Sequence, residues 1–110
     1  MKFKNPYWNI TTKIQMLENW LLVHCYLYYV LGISIVDDYT YDCNSQQLAR
    51  LLNKYPEESE KTIYAYVFYD FDPSTGYDLY SRLLPKEQEI ITMTSDRIKM
   101  LVDQGEIEKK

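Results

Sequence analysis

Residues 24–42, His-Cys-Tyr-Leu-Tyr-Tyr-Val-Leu-Gly-Ile-Ser-Ile-Val-Asp-Asp-Tyr-Thr-Tyr-Asp, contain the boundary between two helices and so decide the fold. Gly32 ends the first helix, because glycine adopts the left-handed backbone that a helix terminus needs without a Cβ clash. Asp37 begins the second as its N-cap, with Asp38 in the first turn, where the helix dipole favours a carboxylate. Working backward, Ile14, Leu17, Leu21, His24, Tyr28 and Leu31 recur at spacings of three and four, the signature of one buried helical face. Thr12 and Gln15 supply a capping box at its start. Working forward, Tyr41, Leu48, Leu51, Leu52 and Tyr55 give the second helix an apolar face, and Pro56 stops it. The two form an antiparallel pair with Leu17, Leu21, Leu48 and Leu51 at the interface.

Farther along, Tyr64-Ala65-Tyr66-Val67-Phe68-Tyr69 is aromatic and β-favouring, and Asp72-Pro73-Ser74-Thr75-Gly76 is a turn sequence before Tyr77-Asp78-Leu79-Tyr80. This predicts a short aromatic β-hairpin. Pro85 suits the first position of a third helix with a face of Ile90, Ile91, Thr94, Ile98 and Leu101, which Gly105 ends before a frayed tail, 106–110. The expected fold is therefore mainly α (α+β), one domain over 1–110: a helical pair at 12–57, an aromatic hairpin or loop at 58–84 and a C-terminal helix at 85–104.

The 110 residues allow one domain with a core of its own. Lys and Arg number 12 against 16 Asp and Glu, so the cationic surface that drives non-specific binding to phosphate backbones is missing and direct nucleic-acid binding is disfavoured. The longest apolar run, Trp20 to Leu31, contains His24 and falls short of the roughly twenty residues that span a bilayer. With no signal-like N-terminus, the chain reads as cytoplasmic. Cys25 and Cys43 then read as free thiols rather than a disulfide.

Asp38, Tyr41 and Asp42 stand at i, i+3 and i+4 and share one face of the second helix's first turn. The short connection brings them toward Tyr28 and Tyr29, giving a pocket with aromatic walls and two carboxylates. A pyridinium ring is attracted to aromatic faces by roughly 0.5 to 2 kcal/mol, and ribose hydroxyls donate well to carboxylates. The same residues also have a purely structural reading, tyrosines plugging a core edge and aspartates capping a helix. His24 is the sole histidine and reads as a core-edge residue hydrogen-bonded across the pair, not a metal ligand. Asp70-Phe71-Asp72-Pro73-Ser74-Thr75 brushes the Asp-x-Asp-x-Thr motif of haloacid dehalogenase-like phosphatases, but its threonine is one residue late, and it reads as a turn.

From His24 through Asp42 the chain follows, without a gap, a pattern that resembles the N-terminal helical subdomain of NAD-dependent DNA ligases, His-x-Tyr-x-Tyr-(Tyr or His)-Val-x-Asp-x-Pro-x-Ile-x-Asp-x-x-Tyr-Asp. The family's His-Pro-Glu ending is matched by Tyr55-Pro56-Glu57, so the resemblance spans Thr12 to Glu57. It implies binding of nicotinamide mononucleotide (NMN) or NAD: Tyr28 on the nicotinamide, Tyr29 beside it, and Asp38, Tyr41 and Asp42 on the mononucleotide. Gly32, Ser34 and Asp37 depart from the pattern and bear on the shape of the connecting turn. No Lys-x-Asp-Gly tetrapeptide occurs, so the adenylylated lysine of ligases has no counterpart and joining of DNA is not expected. The chain looks like the short ligase-related proteins of bacteriophages that keep this subdomain alone. That resemblance implies a non-catalytic nicotinamide-nucleotide-binding module, without metal, in the host cytoplasm. A rival reading is a phage-encoded interaction or inhibitor protein that binds a host protein on the same helical scaffold, which the twelve tyrosines favour. A third, a NAD-cleaving hydrolase, would use Asp38 or Asp42 beside the nicotinamide ribose.

Overall fold

A computed structural model describes residues 9–73 and 78–110. The elements are α1 (Ile10–Tyr29), α2 (Asp38–Lys54), α3 (Pro56–Ser59), α4 (Ala65–Phe68), a 3-10 turn (Tyr80–Arg82) and α5 (Pro85–Asp103). Helix α1 is the axis of the molecule, packing against α2, α3, α5 and the 3-10 turn. Its buried residues, including Ile14, Leu17, Trp20, Leu21, Leu22, Val23, Cys25 and Leu27, lie on every side, wider than the single expected stripe. A helix apolar all round is one enclosed by its neighbours.

The helix boundaries follow local chemistry. Asn9, not Thr12, caps α1, its Oδ1 accepting the Thr12 N–H at 2.8 Å, so the helix begins a turn before the expected capping box. At the far end Gly32 takes φ 69°, and the Ile33 N–H donates to Leu27 O at 2.8 Å. Asp37 caps α2 as expected, accepting the Thr40 N–H at 2.7 Å. Leu17, Leu21 and Leu48 are fully buried, whereas Leu51 is only half-buried. Pro56 ends α2 and opens α3, since proline lacks an N–H but fits a first helical turn.

The expected aromatic hairpin is not formed: among the described residues there is no strand, and its first arm is α4 while its second holds the 3-10 turn. Of the turn expected there, Ser74 to Gly76 lie outside the described residues, as does Tyr77. The reason is burial. Tyr64, Val67 and Phe68 all join the core, and spacings of three and four reach one side of a helix but opposite faces of a strand. Tertiary packing thus overrides the β-propensity of the aromatic residues. Side chains then hold the two arms together. Arg82 donates to Asp70, to Asp78 at 3.1 Å and to Val67 O at 3.1 Å, and Tyr66 Oη accepts the Leu84 N–H at 3.0 Å.

Helix α5 begins at Pro85 as expected, but its buried face is Ile91, Ser95 and Val102, with Ile98 half-buried. Ile90 and Thr94 face outward, and Ile90, Met93 and Met100 are exposed. Nor is the tail frayed throughout, for the Lys110 N–H donates to Ser34 O at 2.6 Å. Among the described residues no helix is long and apolar enough to cross a membrane.

Candidate functional site

Where α1 ends and α2 begins, the backbone turns sharply. Gly32 supplies the left-handed residue, and Ser34 Oγ donates to Val36 O at 2.9 Å, fixing the turn. Ile33 is buried and Ile35 and Val36 are half-buried, so the connection has an apolar side. Opposite it, the last turn of α1 and the first turn of α2 diverge and leave a cleft of about 360 Å³. Tyr28, Tyr29, Asp38, Tyr41 and Asp42 all line that cleft, together with His24, Cys25, the 33–36 connection and Pro73. The size is at the lower end of the range of about 300–1,000 Å³ for small-molecule sites, suited to one nucleoside more than to a whole dinucleotide.

The five side chains differ in freedom. Tyr28 and Tyr29 are 56% and 57% exposed, with ring centroids 4.9 Å apart in an edge-to-face arrangement. Tyr41 is held: its hydroxyl and Cys25 Sγ share a hydrogen bond at 2.8 Å, and its ring lies 6.0 Å from that of Trp20. Burial raises the Tyr41 phenol well above its ordinary value and pushes the Cys25 thiol up to about 11, so both are protonated and uncharged at neutral pH. Asp38 and Asp42 are exposed, and among the described residues neither accepts a side-chain hydrogen bond or forms an ion pair. Their lone pairs are open to an incoming donor.

His24 packs its ring 4.2 Å from that of Trp20, and burial lowers it to about 4. The half-buried imidazole sits at the core edge as expected, but among the described residues it makes no hydrogen bond across the helix pair and packs instead on Trp20 of its own helix. Cys25 and Cys43 are free thiols. No group of three His, Cys, Asp or Glu is placed to hold a metal ion among the described residues.

Sequence reasoning did not single out Cys25, Ile33, Ile35, Val36 or Pro73 as part of the site. The apolar residues of the connection carried a signal, because a linker rich in isoleucine and valine is expected to cover something. Pro73 carried none, since only the tertiary fold brings it to α1. Compared with protein-family models, with curated proteins and with solved structures, the chain matches none.

Proposed function

We propose that this protein is a non-catalytic module that binds the nicotinamide half of NMN or NAD in the cleft between α1 and α2. The observation that carries the reading is the meeting of Tyr28, Tyr29, Asp38, Tyr41 and Asp42 on one open cleft. Two exposed aromatic rings offer a seat for a cationic ring, and two unpaired carboxylates offer acceptors for ribose hydroxyls. Cys25 and Tyr41 are held protonated, so neither thiol nor phenol is poised as a nucleophile.

One stacking contact and a few hydrogen bonds, offset by the cost of association, give dissociation constants near one millimolar, to order of magnitude. A chemical-shift titration with NMN and NAD to about ten times that level tests it. Movement of the Tyr28 and Asp42 amides is expected in the wild type and not in Tyr28→Ala. An unperturbed wild-type spectrum would sink the proposal.

A second reading, an interaction module for a host protein, is favoured by the exposed stripe of Ile90, Met93 and Met100 on α5 and by Tyr39 and Tyr69, 78% and 79% exposed. The two separate by mutation. A partner that survives Asp38→Ala/Asp42→Ala but is lost with Met93→Asp belongs to α5, not to the cleft.

A further inference from the structure

Among the described residues, the carboxylates that line the cleft have no cationic side chain beside them in the lining. Asp38 and Asp42 line it, Asp37 stands beside them, and no lysine or arginine is among the described lining residues. His24, the one described lining group able to become cationic near neutral pH, is kept neutral by burial. The helix ends add to this. The C-terminal end of α1, where unpaired carbonyls give partial negative charge, has no basic residue in its last turn. The N-terminal end of α2 would ordinarily attract a phosphate through its free N–H groups. Here Asp37 already occupies that position, accepting the Thr40 N–H at 2.7 Å, and Asp38 follows in the first turn. Lys110 reaches this side through its backbone N–H on Ser34 O at 2.6 Å, and its charge acts on Asp37. Arg82 is engaged elsewhere, with Asp70 and Asp78.

We infer that the cleft selects a phosphate-free cationic nucleoside, an N-glycosylated pyridinium with free ribose hydroxyls, over the corresponding mononucleotide. This rests on the nicotinamide reading of the cleft and narrows it. A pyridinium nucleoside brings one positive charge to two carboxylates and an aromatic seat. Adding a 5′-phosphate turns the ligand net negative, with no lysine or arginine among the described lining residues to receive it. Reducing the ring removes the positive charge while keeping both hydroxyls, so it isolates the contribution of charge.

The test is a calorimetric or chemical-shift titration of the full chain with three probes: nicotinamide riboside, NMN, and reduced nicotinamide riboside. The riboside is expected to bind about tenfold more tightly than either other probe at low salt. Raising ionic strength from about 20 mM to about 500 mM should narrow both gaps, because exposed charges are screened. Asp42→Asn, an exposed and nearly isosteric change, should weaken the riboside and narrow its margin over NMN. NMN binding as tightly as the riboside, or more tightly, overturns the inference and leaves the nicotinamide reading intact. Equal binding of oxidised and reduced ribosides does the same, by showing that hydroxyls and not charge are recognised. Silence with all three probes removes both the inference and the reading beneath it.

Discussion

Midway along α1, Glu18 is sealed in the core at 0% exposure, and among the described residues neither carboxylate oxygen has a hydrogen-bond partner. Near its end, Tyr28 and Tyr29 of the same helix stand more than half exposed beside carboxylates that have no partner among the described residues. One region buries a polar group where solvation is lost; the other leaves apolar rings where water can reach them. Both arrangements cost free energy. The difference is closure. Glu18 is enclosed by the core, with Thr62 from the segment between α3 and α4 beside it, whereas Tyr28 and Tyr29 stand at the rim of the open cleft. Burial pushes the Glu18 carboxyl up to about 7.

The sharpest way to break this contrast is to open the closed region. Leu48→Ala, at a fully buried position of α2, should cost roughly 2 to 5 kcal/mol. Denaturant unfolding checks it, and a loss below about 1 kcal/mol would mean that the site collapses around the deletion. Leu51→Ala should cost less, because Leu51 is only half-buried.

Next in size is Glu18→Gln, which mimics the protonated acid. The folded value of about 7 lies above the ordinary 4.5, so the native state holds a proton that the unfolded chain has released. The stability this group contributes is complete below 4.5 and is lost as pH rises through about 7. Above that the substitution should stabilise by about 3 kcal/mol, and near pH 4 by little. His24 works in the opposite sense. Lowered from 6.5 to about 4, it favours folding above 6.5 and loses that contribution as pH falls through about 4. Between about 4.5 and 6.5 the two slopes oppose. Thermal unfolding of the wild type should thus be nearly flat there, while Glu18→Gln should lose stability steadily on acidification.

Smaller still is Tyr41→Phe. It removes the hydrogen bond to Cys25 and should cost about 1 kcal/mol, while the ring stays beside Trp20. Tyr28→Ala should leave the melting temperature almost unchanged, its ring being exposed, and abolish ligand-induced shifts in the titration described above. A large fall in melting temperature would show that the open end contributes to the core and would erase the contrast.

The α1–α2 boundary was legible because its signals are local. A left-handed glycine, an aspartate cap and a proline stop each act within a few residues, and Gly32, Asp37 and Pro56 do what their chemistry requires. The convergence of Asp38, Tyr41 and Asp42 follows from helical spacing, and the short connection brings Tyr28 and Tyr29 to them. Other features were decided by distant packing. Tyr64, Val67 and Phe68 carry a strand-favouring composition, yet burial against α1 selects a helical turn, because the energy of filling the core exceeds the intrinsic preference. The face that α5 buries, around Ile91, Ser95 and Val102, depends on the groove it meets, and the periodicity that put Ile90 and Thr94 on that face did not register it. Glu18 carries no mark in the sequence of its burial, for a glutamate on a helix is ordinarily solvated. Pro73 reaches the cleft only through the path of the chain beyond α4. Sequence alone thus determined where α1 ends and where α2 begins and ends, since caps and breakers act through neighbouring backbone groups; which surfaces close over α1, and which stay open, depended on side chains far apart in the chain competing for the same space.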